Sequence, residues 1–202
     1  MKQPFPDPAA RKADLRRAAS RRRSAVDETA AAERSRAIVD RLCSLDLLSE
    51  AGCVHAFWPI HEKREVDLRS MLRSWVREGR TVVLPVVKKS APGSPPELEH
   101  RRFTSENELV VSKWGIAEPV VGEEIDPRKI DVILVPALAV DDLGTRLGYG
   151  KGFYDGFLST IEAVRVCPIY DDDVVSSLPR EDHDEQVDII VTECRTMTPG
   201  RT

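Results

Sequence analysis

From residue 144 the chain reads Gly144, Thr145, Arg146, Leu147, Gly148, Tyr149, Gly150, Lys151, Gly152, Phe153, Tyr154 and Asp155. Glycines at the alternate positions 148, 150 and 152 leave their backbone N–H groups unshielded, so an anion can approach them closely. Lys151 and Arg146 place positive charge beside those donors, and Asp155 can hold the divalent metal that travels with a nucleotide. An apolar run from Val132 to Val135 precedes the segment and reads as a buried strand. These residue types at this spacing suit the binding of a nucleoside triphosphate. The common glycine motifs do not fit: a mononucleotide loop needs four residues before its Gly-Lys pair, and here five separate Gly144 from Gly150. A dinucleotide fingerprint would need a third glycine at 153, which is Phe. The bland alternative, a glycine-rich turn that binds nothing, leaves Arg146 and Lys151 without a neutralising partner.

The elements that must position this turn can be read from spacing. Asp7 and Pro8 supply a cap and a first helical residue, and Leu15, Ala18, Ala19 and Val26 follow helical spacing over roughly 16 residues. Asp27 caps a second helix with Ile38, Val39, Leu42 and Leu45 inward. A strand is expected over 53–58, ended by Pro59, then a helix over 67–78 with Leu68, Met71, Leu72 and Trp75 on one face. Thr81 to Leu84 reads as a buried strand stopped by Pro85, overlapping a candidate segment 82–87 that the loop 90–96 separates from another at 98–103. A strand at 131–135, a helix at 153–161 and strands at 164–169 and 187–192 complete the pattern. Alternating strands and helices predict an α/β fold, a three-layer α/β/α sandwich with a mainly parallel central sheet. One domain over 1–202 is expected, with amino-terminal helices at 8–45 packed on the core. Ligands of such sheets gather at the carboxyl ends of the strands, where Phe57, Trp58 and the glycine turn all stand.

The chain has 202 residues, 41% of them hydrophobic and 32% charged, enough for a packed soluble domain. A net charge of −4 argues against a general nucleic-acid binder. The arginines crowded at the amino end, from Arg11 to Arg23, read as a solvated helix face. Lys12 and Arg16, four apart, share one face of that helix. Cys43, Cys53, Cys167 and Cys194 show no paired spacing and read as free thiols of a reducing cytoplasm. No apolar run approaches the roughly 20 residues of a membrane span.

The segment resembles the core motif of the 5-formyltetrahydrofolate cyclo-ligase (methenyltetrahydrofolate synthetase) family, Pro-Gly-Leu-Ala-Phe-Asp, a short turn, then Gly-x-Arg-Leu-Gly-x-Gly-x-Gly-Tyr-Tyr-Asp. Here Ala137, Val140 and Phe153 replace the first Gly, the Phe and the first Tyr. Lys12 to Arg16 resembles the family's Lys-x-x-Leu-Arg. Glu65-Val66-Asp67 resembles its Glu-Val-Asp-Thr, with Leu68 for Thr, and Gly115 to Pro119 resembles its Gly-Ile-x-Glu-Pro. The resemblance implies conversion of 5-formyltetrahydrofolate and ATP to 5,10-methenyltetrahydrofolate, ADP and phosphate. By the same resemblance Lys12, Arg16, Arg146, Leu147, Gly148, Tyr149, Gly150, Lys151, Gly152, Phe153 and Tyr154 bind ATP, with Lys151 and Arg146 catalytic. Glu65 contacts the folate, for which Phe57, Trp58, Trp114 and Tyr154 can form walls. Asp155 and Asp184 are the implied magnesium ligands, Mg2+ being the implied cofactor. The expected partners are the two small molecules alone, with a monomer and neither nucleic acid nor membrane. Two other readings remain open: a related ATP-dependent enzyme with another N-acyl substrate, and a non-catalytic nucleotide-binding, folate-binding or RNA-associated module.

Overall fold

The computed structural model describes residues 8–88 and 97–200. The expected Asp7 cap and the whole of the loop at 90–96 lie outside the described residues. Helices α1 (Pro8–Ala25), α2 (Glu28–Cys43) and α3 (Asp46–Glu50) lead to strand β1 (Cys53–His55), helix α4 (Arg69–Arg77) and strands β2 (Thr81–Val87) and β3 (Leu98–Arg102). A hairpin of β4 (Leu109–Val111) and β5 (Ala117–Pro119) follows, then β6 (Val132–Leu134), β7 (Ala139–Asp141) and β8 (Arg146–Leu147). The chain closes with α5 (Phe153–Leu158), β9 (Val164–Pro168), β10 (Val174–Val175), β11 (Ile189–Val191) and β12 (Thr196–Met197).

Seven strands form the central sheet in the order β12-β11-β9-β6-β1-β2-β3. The inner five pair in parallel, and β3 and β12 run antiparallel at the two edges. Alternation along the strands divides the core. Val54, Val82, Val132 and Val166 pack with Ile38 and Leu42 of α2 and with Leu72 and Trp75 of α4. Cys53, Val83, Ile133 and Cys167 face the other way, against Phe157 and Leu158 of α5. The mixed α/β layering expected from the sequence is therefore present. The strand order reverses between β1 and β6, because β2 lies on one side of β1 and β6 on the other. Such a switch point opens a crevice at the carboxyl ends of the two strands.

Several boundaries differ from the sequence expectation. Pro85 does not stop β2; it sits opposite His100, two residues beyond the last pairing of β1 with β2. By backbone alternation its nitrogen faces the β1 side past the end of β1, where no ladder bond is required. The first strand ends at His55, and α5 ends at Leu158. The glycine turn does not follow β6 directly: β7 and β8 pair antiparallel between them, and β10 joins β7 to complete a small second sheet.

Helix α1 is seated differently from expectation. Its buried positions include Lys12, Ala19 and Arg23, with Arg16 half-buried between them, a stripe spaced by four, three and four residues. Arg23 is not part of a solvated face: its guanidinium meets Asp173 at 3.0 Å and donates to the Ala137 carbonyl at 2.9 Å. A buried arginine needs such partners, so α1 is pinned by charge as well as by apolar contact.

On the α5 side, His55 lies against His100 and Phe157, with ring centroids 5.3 and 4.9 Å away. Burial, helped by His100, holds the His55 imidazole well below its ordinary range; burial and then Lys88 lower His100 to about 4. Unfolded histidines take up a proton near pH 6.5, so between that pH and about 4 the unfolded chain binds more protons. The stability that these two histidines contribute must then fall as pH drops through this window. Denaturant titrations at pH 7 and pH 5 should show His100→Phe losing less stability than the parent by about 1–2 kcal/mol. Equal losses in the two proteins would contradict this.

Candidate functional site

The crevice at the switch point is a cleft floored by the glycine turn. Phe57 and Trp58 enter it just after β1, Pro136 after β6, and Trp114 and Ile116 from the β4–β5 hairpin. All seventeen residues singled out from the sequence line it: Lys12, Arg16, Phe57, Trp58, Glu65, Trp114, Asp155 and Asp184, with the nine residues from Arg146 to Tyr154. Ile60, Lys63, Pro85, Ile116 and Pro136 complete the lining. Among the described residues, none that lines the cleft is Ser, Thr, Cys or His.

Gly150 and Gly152 take φ of +78° and +73°, the left-handed region that costs a glycine nothing. At Gly150 a Cβ would be strained by that φ and would lie 2.9 Å from Arg16 Cζ, so the arginine would have to shift. Arg16 reaches the turn from α1 and donates from Nε to the Gly148 carbonyl at 2.9 Å. The helix carrying Lys12 and Arg16 thus touches the glycine turn directly.

The cations of the cleft are placed unequally. Arg146 is 6% exposed and its Nη2 lies 2.7 Å from Asp155 Oδ1. Lys12 is equally buried and lies between Glu181 and Asp184, at 2.6 and 2.5 Å. Burial opposes its charged form, but hydrogen bonds and charge from Asp184 and Glu181 outweigh this and raise the ammonium above its ordinary range. Lys151 is exposed, with Nζ 5.2 Å from the centroid of the Trp114 ring. No carboxylate among the described residues pairs with it.

The folate-side candidates surround a buried carboxylate. Glu65 accepts the Ile60 N–H at 2.7 Å and the Tyr149 hydroxyl proton. Burial pushes its carboxyl above the usual range, against the opposing pull of those two bonds and of Arg23 and Lys63. Lys63 lies 4.5 Å from the centroid of the Tyr149 ring. Trp114 meets Phe153 edge-on at 5.8 Å, and Trp58 packs on Phe103 at 5.2 Å. The Tyr154 hydroxyl is buried and has no hydrogen-bond partner among the described residues.

Among the crowded acids of the carboxyl end, geometry separates the candidates. Asp184 lines the cleft, whereas Asp182 is exposed and Glu185 pairs with Arg165 at 2.7 Å. Glu181, His183 and Asp184 offer ligand atoms within 4.8 Å of one another, the one such cluster of three found among the described residues. Asp155 and Asp184 each hold a cation at hydrogen-bond distance, so both stand where positive charge is stabilised and can serve a divalent ion. All four cysteines are free thiols.

The sequence profile of the 5-formyltetrahydrofolate cyclo-ligase family matches residues 8–193. The chain belongs to this family. A 5-formyltetrahydrofolate cyclo-ligase of Mycolicibacterium smegmatis is 32% identical over 190 residues, covering 91% of this chain and 94% of that one. The solution structure of the Aquifex aeolicus 5,10-methenyltetrahydrofolate synthetase superposes with a TM-score of 0.80 at 33% identity, covering 95% of each chain. A 5,10-methenyltetrahydrofolate synthetase from Mycoplasma pneumoniae shares the fold at 20% identity, with a TM-score of 0.71 over 90% of this chain and 98% of that one. Membership makes the chain an enzyme, a ligase of folate one-carbon chemistry. Among the described residues no helix is long and apolar enough to cross a membrane.

Proposed function

We propose that this cyclo-ligase closes the ring of 5-formyltetrahydrofolate to 5,10-methenyltetrahydrofolate by phosphorylating the formyl oxygen with ATP. The formyl oxygen is a poor leaving group at neutral pH. Transfer of the terminal phosphoryl group breaks its bond to ADP and forms a P–O bond to the formyl oxygen, as N5 donates its lone pair to give an iminium phosphate. N10 then attacks the formyl carbon, phosphate departs with the former formyl oxygen, and N10 loses its proton. Catalysis in such a sequence is mainly positioning and charge stabilisation.

The observation that carries this reading is the composition of one cleft: triphosphate-binding groups and a buried carboxylate line it together, without Ser, Thr, Cys or His among the described residues. Lys151 and Arg146 stabilise charge at the transferring phosphoryl group, while the glycine N–H groups, Lys12 and Arg16 hold the remaining phosphates. Glu65 accepts hydrogen bonds from the 2-amino group and ring N–H of the pterin, and Phe57, Trp58, Trp114 and Tyr154 flank its rings. Asp155 and Asp184 would hold Mg2+, which supplies further neutralisation of the phosphates. The enzyme is proposed to act as a monomer on these two small molecules in the cytoplasm, a compartment that its free thiols suit.

The test is to mix enzyme, magnesium, ATP and 5-formyltetrahydrofolate and follow methenyltetrahydrofolate absorbance. Product should form only when all the components are present. Formation at the same rate without ATP would remove phosphoryl transfer from the account. ATP hydrolysis with a different N-acyl compound, and none with the folate, would favour the related-enzyme reading.

A further inference from the structure

Lys12 is held on two carboxylates, which leave at most one of its three N–H donors for a phosphate. Its ammonium is buried and bonded to two carboxylates, Glu181 at 2.6 Å and Asp184 at 2.5 Å. Asp184 Oδ2 also accepts the Glu181 backbone N–H at 2.7 Å, and the Asp184 N–H returns to the Glu181 carbonyl at 3.0 Å. This turn fixes Asp184 through the backbone, so the Glu181 carboxylate contributes charge rather than scaffold. Arg146 is likewise held by a carboxylate, that of Asp155.

Two cations that would serve phosphates are therefore paired with the two carboxylates that would serve the metal. Nucleotide alone would draw Lys12 away from two carboxylates and leave them uncompensated beside further negative charge. Metal alone would meet Asp184 with an ammonium already in hydrogen-bond contact. Only the two together give new partners to both cations and to Asp155 and Asp184: phosphates take the cations and the metal takes those two carboxylates, while Glu181 is left to water at the partly exposed rim. We infer that Glu181 is a positioning residue that holds Lys12 on Asp184, and that this contact makes metal and nucleotide binding each depend on the other. The inference rests on the function proposed above and assigns Glu181 a part in it. Coupling of this kind is reciprocal, so one contact sets both dependences.

The experiment is calorimetric titration of the parent, Glu181→Gln and Lys12→Gln with ATP in chelator, with Mn2+ alone, and with Mn2+ and ATP together. In the parent each ligand should bind at least about fivefold more tightly when the other is present. Glu181→Gln, a change at the partly exposed rim, should bind metal-free ATP about fivefold or more tightly than the parent, with the coupling reduced to match. Lys12→Gln should bind Mn2+ alone more tightly, because the competing ammonium is gone. Unchanged or weaker metal-free ATP binding by Glu181→Gln would overturn the inference. So would unchanged Mn2+ binding by Lys12→Gln. If no form binds nucleotide in any combination, the proposed function falls, and the Mn2+ arm still decides whether Lys12 competes with the metal.

Discussion

Replacing Lys151 by alanine should lower kcat by about 100-fold or more, the scale expected when a transition state is deprived of one stabilising charge. Lys151 is the cation for which the effect should be cleanest. It is exposed, lies over the Trp114 ring and pairs with no carboxylate among the described residues, so its removal leaves no charge orphaned. The surrounding turn is set by Gly150, Gly152 and the Arg16 contact, none of which needs the lysine side chain. Steady-state kinetics with saturating ATP and folate measure the change, and thermal melting should show the variant as stable as the parent. A variant with normal kinetics would make the glycine turn structural and move the phosphate site elsewhere.

Glu65→Gln should raise the folate KM by about ten- to a hundredfold, corresponding to ~1–3 kcal/mol of weakened hydrogen bonding. The structure explains why so similar a side chain is a poor substitute. One Glu65 oxygen accepts from the Ile60 N–H and the other from the Tyr149 hydroxyl, leaving lone pairs on both for a ligand with two adjacent donors. An amide supplies only one acceptor, and the Ile60 N–H cannot turn away as a hydroxyl can. ATP affinity measured without folate should stay nearly unchanged. If the variant weakens ATP and spares folate, the two subsites have been placed the wrong way round.

The parts of the site legible in the sequence were those whose residues stand together or at helical spacing. Arg146 to Asp155 is contiguous, and Lys12 and Arg16 are four apart on one helix, so local spacing placed each group on one surface, and the family resemblance joined the two groups in one site. Glu65 carried a signal only through the family resemblance. Ile60, Lys63, Pro85, Ile116 and Pro136 were not foreseen, because the first two come from one short turn, the others from three separate segments, and none has a local pattern. Glu181 was hidden among neighbouring acids that only three-dimensional placement separates. Arg23 carried a readable signal that was missed: with Lys12, Arg16 and Ala19 it completes a four-three-four stripe. That stripe marks a buried face even though three of its four members are charged.

The layers of the fold followed from strand and helix alternation, whereas the small sheet did not. β8 and β10 have two residues each and β7 has three, too few for period-two alternation to register. Of the antiparallel edges, β3 was expected as a strand at 98–103 without its direction, and β12, with two residues, gave no signal.

The measurement that most directly tests the central claim follows the formyl oxygen itself. With 5-formyltetrahydrofolate labelled with oxygen-18 in the formyl group, the phosphate released during a single turnover should carry the label, one atom per methenyltetrahydrofolate formed. Unlabelled phosphate, with the heavy oxygen recovered in water, would contradict phosphorylation of the formyl oxygen even if ATP were consumed.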